Sequence, residues 1–499
     1  MTHDPKYARY LPPQRGARWA TRQEICRALQ PIVLAEATYP TSGFPVIAGD
    51  GIAYMDGSDT HSIVFGATGS KKTRLIVMPT LHTIMRAGES FVVTDPKGEL
   101  YQRTSGFAAE CGYRVLTLNF RDPSRSHCWN PLYKPFELYH SSRRSACLEM
   151  LNDLVASVCI DNKKNRVDPF WENASASLGL ANLLLLMECG TVRNTNVVSW
   201  TRMAAGDQIE AITNLIALLP TECLARINYA GVLSGSEKTI DNILVSLFAS
   251  LRIFVMNEEL ASMLSRNDID MASIGTCKTA LYLILPDEKT TSNFLITVFV
   301  KQLYETLIAQ AQKEERLCLA RRVNFVLDEF CNIPTIPDMP SMISAARSRN
   351  IRFYLIAQGM RQLQEKYGED AFSIRGNCTN WVFLTSRELP LLQEFSQLCG
   401  ERCLDGNRVQ PLITPSELQF LNKQRGEALM FVGRQHPYIS YLPDIDDYVD
   451  FQQRPPLPLP RRRATNHEVF SLQKTLNEII RCERSIPFTK NFADRGMTQ

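Results

Sequence analysis

The eight residues Gly66-Ala67-Thr68-Gly69-Ser70-Lys71-Lys72-Thr73 constrain this chain more than any other segment. The apolar stretch 62–65 leads into them as a short strand, and Arg74 to Leu81 lead out with helical periodicity, so the loop is expected at a strand-to-helix turn. A loop of this composition in that position is a phosphate cradle. Its backbone N–H groups and the helix N-terminus face the phosphates, a lysine reaches the terminal ones, and a hydroxyl holds Mg²⁺. Lys72 and Thr73 are the residues for those two roles, and Gly66 to Arg74 form the expected nucleotide-binding set. Lys71 stands where the pattern asks for glycine, which predicts backbone strain on the order of 1–3 kcal/mol. A plain polar loop before a basic helix start is the competing reading.

A phosphate cradle also needs a strand that ends in a carboxylate. Val323-Asn324-Phe325-Val326-Leu327-Asp328-Glu329 supplies one, with Asp328 placed to hold the metal and Glu329 placed to orient or deprotonate the attacking water. Further strand-like runs occur at 90–95, 114–118, 279–285, 352–357, 379–385 and 428–432, and their continuous apolar character predicts a parallel sheet covered on both faces. Between about 145 and 275 the apolar spacing turns helical, as in Leu148, Leu151, Leu154, Val155 and Val158. The two nucleotide motifs lie 328 − 72 = 256 residues apart, so an all-helical insertion in an α/β core is expected. The expected parts are 1–60 as a lead-in without a transmembrane helix, 61–144 and 276–450 as the two halves of the nucleotide-binding domain, 145–275 as the insertion, and 451–499 as a Pro/Arg-rich linker and tail.

Composition narrows the setting. A hydrophobic fraction of 44% over 499 residues can fill a sizeable core. Fourteen cysteines without a CxxC pair or a His-rich cluster predict reduced thiols in a cytosol and no zinc site. The longest apolar run, around Leu183 to Met187, falls short of the ~20 residues of a membrane span, so a soluble chain is expected. Net charge is +3, with the excess in the last 49 residues. There, Arg454-Pro455-Pro456-Leu457-Pro458-Leu459-Pro460-Arg461-Arg462-Arg463 reads as a stiff linker with a basic cluster, either solvated or in contact with phosphates or anionic lipid.

Beyond these readings, the chain resembles the TraG-type coupling proteins of type IV secretion systems. The resemblance runs from about Gly16 to Leu442 and rests on Gly16-Ala17-Arg18-Trp19-Ala20-Thr21, Thr94-Asp95-Pro96-Lys97-Gly98-Glu99, Trp129-Asn130-Pro131-Leu132, Phe170-Trp171-Glu172, Ser236-Glu237-Lys238-Thr239 and Ile284-Leu285-Pro286-Asp287-Glu288-Lys289-Thr290. It implies a RecA-like P-loop NTPase core, ATP and Mg²⁺ as cofactors, and hydrolysis coupled to moving DNA with its attached relaxase into a secretion channel. It further implies a homo-hexamer at the cytoplasmic face of the cell membrane. Members of that family usually carry N-terminal membrane helices, and none is read before Arg18, so either docking on a separate membrane anchor protein or a missing start is expected here.

Carried over by position, Arg347 matches an arginine that reaches a neighbouring subunit's nucleotide, with Arg349 as its rival, and Gln358 matches a polar sensor of the γ-phosphate. A non-hydrolysing docking module of the same fold and a soluble DNA motor of segregation or plasmid maintenance are the other readings. Leu233-Ser234-Gly235-Ser236 resembles an ABC signature loop, but it precedes Asp328 by 95 residues where a few tens are required.

Overall fold

The computed structural model describes residues 16–160, 170–286, 288, 291–403, 409–447, 454–462 and 467–483. Residues 1–15 of the lead-in, Asp287, Lys289 and Thr290 of the last family motif, Arg463, and 484–499 of the tail lie outside them. Two compact units emerge. The first comprises Met1–Leu116, Met271–Leu285 and Thr306–Pro458, and the second Thr117–Asp270, Pro286–Glu305 and Leu459–Gln499. Of the stretch read as a helical insertion, 145–270 fall in the second unit, which also takes in 117–144, 286–305 and the chain from 459.

In the first unit, β1 (Gln30–Val33), β2 (Pro45–Gly49) and β3 (Ile52–Met55) form a small antiparallel sheet in the order β1-β3-β2. A helix at Arg22–Ala28 precedes it, started by a reciprocal capping box between Thr21 and Glu24. The main sheet contains β4 (His61–Phe65), β5 (Ser90–Asp95), β6 (Arg114–Asn119), β7 (Thr279–Ile284), β8 (Val323–Leu327), β9 (Ile351–Ala357), β10 (Cys378–Phe383), β13 (Glu427–Phe431) and β14 (Tyr438–Tyr441). Its order is β14-β13-β10-β4-β9-β8-β5-β7-β6. The strands β11 (Glu401–Cys403) and β12 (Val409–Pro411) pair separately.

From β10 across to β7 every neighbouring pair is parallel, whereas β13 and β14 add an antiparallel edge. Every residue of β4, β5, β7, β8 and β9 is buried, as a parallel sheet covered on both faces requires. Phe325 on β8 stacks on Phe353 on β9 with ring centroids 5.0 Å apart, and truncating either ring to alanine would cost about 3–5 kcal/mol.

At the N-terminal edge of this sheet a charge is fully buried. Arg352 is 1% exposed, pairs with Glu89 at 3.1 Å, and donates to Asn324 Oδ1 at 2.9 Å and Ser42 O at 3.0 Å. Those acceptors satisfy a guanidinium that could not otherwise be desolvated.

The second unit is built on two 20-residue helices, Phe170–Cys189 and Glu237–Met256, which pack on each other. Ser236 caps the latter, and Ile243, Leu244, Leu247, Leu251 and Phe254 form its buried face. This helix corrects the reading of apolar runs. With a mean hydropathy of 1.6 it is long and apolar enough to span a membrane by composition, although scattered polar residues keep it from showing as an unbroken run.

In the described part of the tail, Arg454, Leu457 and Arg462 are packed on the fold and are not part of a freely solvated linker. In the first unit Arg454 Nη2 donates to Glu110 Oε1 at 2.6 Å and Leu457 N–H to Ser105 Oγ at 3.0 Å. In the second, Arg462 Nη2 donates to Pro123 O at 2.7 Å and Glu259 O at 2.9 Å. Further on, the helix Leu472–Glu483 packs on the helix Ile209–Leu218. These arginines are occupied by the fold's own acceptors.

Candidate active site

The loop between β4 and the following helix keeps its cradle shape. Gly69 has φ +77°, and a Cβ at Gly66 would come 2.5 Å from Ser70 Oγ, so both positions need glycine. Lys71 adopts φ +66°, the left-handed conformation that the expected glycine would have taken. The lysine therefore keeps the loop geometry and carries the strain. The exit helix starts with a wide turn in which Met78 N–H bonds Thr73 O, five residues back. Such a π turn fits Pro79, which has no N–H to offer Leu75 O.

The loop faces the carboxyl ends of β8 and β9. Lys72, 6% exposed, donates from Nζ to Gly66 O at 2.6 Å and lies 3.7 Å from Glu329 Oε1. Thr73 Oγ1 is 3.4 Å from Asp328 Oδ2. Gln358 Nε2, just past β9, donates to Glu329 Oε2 at 2.8 Å, and Thr68 Oγ1 is 3.4 Å from Gln358 Oε1. Glu329 itself sits at φ +51°, a left-handed residue that turns the chain sharply off the strand and aims the carboxylate at Lys72. Lys72, Thr73, Asp328, Glu329 and Gln358 are thus brought together from three segments.

Burial raises the Asp328 carboxyl to about 7, and the neighbouring Glu329 charge adds to it while Lys72 opposes. A buried carboxyl of this kind, beside a threonine hydroxyl, a lysine and backbone donors, is the donor set that a hydrated Mg²⁺ and a polyphosphate would satisfy. The Ser70 hydroxyl, buried and without a hydrogen-bond partner among the described residues, is a further donor in the cradle. These residues fit ATP and Mg²⁺. Beside the loop opens a cavity of about 1180 Å³ lined by Thr68, Gly69, Gln358, Glu388, Phe420 and Lys423, with room for a nucleotide.

Three residues of the expected set are not at the cradle's phosphate face or are engaged elsewhere. Arg347 lies in the turn Arg347–Arg349 that precedes β9, so it is at the N-terminal edge of the sheet, while Gln358 is at the other end of the same strand. Seven strand residues at about 3.3 Å each separate the two edges by roughly 23 Å. Its guanidinium is exposed, and among the described residues it makes no side-chain hydrogen bond or ion pair, whereas Arg349 Nη1 donates to Leu317 O at 2.7 Å. Lys71 and Arg74 turn to an acidic segment after β14. Lys71 Nζ is 3.2 Å from Asp444 Oδ2, Arg74 Nε donates to the two Asp444 oxygens at 2.9 and 3.2 Å, and Arg74 Nη2 contacts both Asp444 and Asp446.

Several supporting residues had no role in the sequence reading. Thr94 Oγ1 donates to Asp328 O at 2.7 Å and ties the ends of β5 and β8. Asp95 Oδ2 accepts from Tyr101 N at 2.8 Å at the start of the helix Glu99–Glu110, and burial raises this carboxyl to about 6. Their sequence signal was the Thr94-Asp95-Pro96 motif itself. For Asp444 and Asp446 it was the acidic run 444–447 after the last strand.

The family model for type IV secretory system conjugative DNA transfer matches residues 18–422. Among curated relatives, the conjugal transfer protein TraG of Escherichia coli is 24% identical over 430 residues, covering 77% of this chain and 64% of its own length. Protein VirD4 of Rhizobium rhizogenes is 24% identical over 407 residues, covering 76% and 57%. This chain therefore spans about 57–64% of the length of these relatives. In fold it is similar to the bacterial conjugative coupling protein TrwBdeltaN70 in complex with sulphate, with a TM-score of 0.65 at 17% identity, covering 90% of this chain and 97% of that one. TrwB in complex with the non-hydrolysable ATP analogue ADPNP gives the same score at 18% identity and the same coverage. With more than half of its residues matched, the chain belongs to the type IV secretory system conjugative DNA transfer family.

Proposed function

We propose that this protein is the coupling ATPase of a conjugative type IV secretion system, hydrolysing ATP with Mg²⁺ to recruit DNA and its relaxase and drive them to the transfer channel. The observation that carries the reading is the convergence of Lys72, Thr73, Asp328, Glu329 and Gln358 at one edge of the sheet, in a chain of the conjugative DNA transfer family. It is supported by a TrwB structure in complex with ADP and Mg²⁺ on the same fold. The alternative of a non-hydrolysing docking module is disfavoured, because such a module has no use for a water-handling glutamate beside a lysine and a sensor glutamine.

The contacts support one role for each residue. Lys72, now on the Gly66 carbonyl, would neutralise terminal phosphate oxygens, and Thr73 and Asp328 would hold the metal, the latter in its ionised form. Glu329 accepts the proton of the attacking water while Gln358, hydrogen-bonded to it, fixes its orientation and reads the γ-phosphate position. When bound, ATP would supply the phosphoanhydride to be cleaved and Mg²⁺ would supply neutralisation of the charge that develops on it. Arg347, exposed on the opposite edge, serves the nucleotide of a neighbouring subunit in a hexamer working at the cytoplasmic face of the membrane. Phosphate release should be measured with ATP, Mg²⁺ and single- or double-stranded DNA. The reading requires turnover that DNA stimulates and that Lys72→Ala removes, and turnover indifferent to Lys72 would sink it.

A further inference from the structure

We propose that Asp444 is a positioning residue of the nucleotide loop: its carboxylate holds the Lys71 ammonium and the Arg74 guanidinium, and so makes a lysine workable at the left-handed position where a glycine is expected. This rests on the nucleotide-site reading and adds a residue to it.

Three observations meet at Asp444. Lys71 is a non-glycine residue at φ +66°, a conformation disfavoured for any residue with a Cβ. Its side chain does not extend over the cradle but ends 3.2 Å from Asp444 Oδ2, from a segment 373 residues further along the chain. Arg74, in the first turn of the exit helix, grips both oxygens of the same carboxylate through Nε. One carboxylate therefore ties the loop residue to the helix that follows it.

The pairs are only about a quarter exposed, 25% for Lys71 and 24% for Asp444, so they are screened less than surface pairs. Burial alone would raise the Asp444 carboxyl, and the hydrogen bonds from Arg74 and Lys71 more than offset it, holding it below the usual carboxylate value. Asp444 is itself fixed, because its N–H donates to Asp447 Oδ2 at 2.9 Å and its Oδ1 accepts from Asp446 N–H at 3.4 Å.

Without the carboxylate, the Lys71 ammonium would be free to fold over the cradle and the loop would lose its anchor to the exit helix. With glycine at 71 the backbone needs no such anchor, and the dependence on Asp444 should shrink. That coupling between positions 71 and 444 is what a merely structural Asp444 would not produce.

The test uses the full chain and a fluorescent ATP analogue with Mg²⁺, in four proteins: wild type, Lys71→Gly, Asp444→Asn and the double variant. Asp444→Asn should weaken binding by about five-fold, the size of a partly screened ion pair, and in the Lys71→Gly background by less than about two-fold. The loss should fall on KM more than on kcat, and Asp444→Glu should recover part of it. An equal loss in both backgrounds, or none in either, overturns the proposal.

Thermal unfolding of the same four proteins without nucleotide reads the pairing independently. A non-additive Tm shift of about 2 °C is expected. If that coupling is present but the wild type binds no nucleotide, the nucleotide-site reading has failed while the pairing stands. Additive Tm shifts would refute the pairing itself.

Discussion

The position of Arg347 turns the proposed hexamer into a quantitative experiment. Its turn and the end of β9 are separated by roughly 23 Å of strand. A charge acting across about 20 Å of largely aqueous surroundings contributes about 332/(80 × 20), or ~0.2 kcal/mol, which is less than a two-fold effect on rate. Within one chain, Arg347→Ala should therefore be nearly silent. If the guanidinium instead contacts the transition state of a neighbouring subunit, its loss should cost about 10³–10⁵ in kcat with little change in nucleotide affinity.

The assay is phosphate release per subunit against protein concentration, with and without DNA, followed by mixing. Inactive Arg347→Ala chains combined with inactive Glu329→Gln chains form some interfaces with one intact arginine and one intact glutamate, so part of the activity should return. The reasoning is refuted if mixed assemblies form without recovering activity while Arg349→Ala alone stops turnover. The Arg349 bond to Leu317 O, which commits that side chain to its own subunit, argues for the first outcome.

Other outcomes are as specific. Glu329→Gln keeps the shape and the Gln358 contact but removes the proton acceptor, so turnover should drop by about 10²–10⁴ with ATP binding retained, and wild-type turnover would show that another group handles the water. Lys71→Gly should bind ATP as well as or better than wild type, because it relieves the left-handed strain, and a large loss measured by titration would make Lys71 a phosphate ligand. His61, 2% exposed, accepts from Phe353 N–H through Nδ1, and burial lowers it to about 4 from 6.5. The folded chain then binds fewer protons than the unfolded one between those values, so stability is full above pH 6.5 and falls as pH drops toward 4, by about 3 kcal/mol in all. Denaturant titrations at pH 6.5 and 5 should show wild type losing about 2 kcal/mol more than His61→Asn, and parallel losses would mean that His61 titrates normally.

The amino-acid sequence alone determined the glycine-rich loop at its strand-to-helix turn, the acidic strand end and most strands of the main sheet, because each is encoded over five to ten neighbouring residues. The expected run 90–95 is β5 to the residue, and 352–357 misses β9 by only Ile351. The strand Tyr438–Tyr441 escaped notice because an antiparallel edge strand, exposed on part of its surface, lacks the continuous apolar run of a central one. The helix Glu237–Met256 escaped a search for unbroken apolar runs for a similar reason, since its apolar residues are spread over a helical period.

Tertiary structure decided how distant side chains are paired. Nothing local at Lys71 points to Asp444, and nothing at Arg352 points to Glu89 or Ser42, because these contacts join residues 263 to 373 positions apart. The same holds for the tail, where a run of arginines that reads as a phosphate-binding cluster is partly spent on carbonyls at Pro123 and Glu259. It holds for Arg347 as well. The direction of β9 between parallel neighbours sends the residues before it to one edge of the sheet and Gln358 to the other, and only the assembled sheet fixes that direction. Local patterns carry backbone conformation and burial over a few residues, whereas the partner of a charged side chain is set by the order in which the strands assemble.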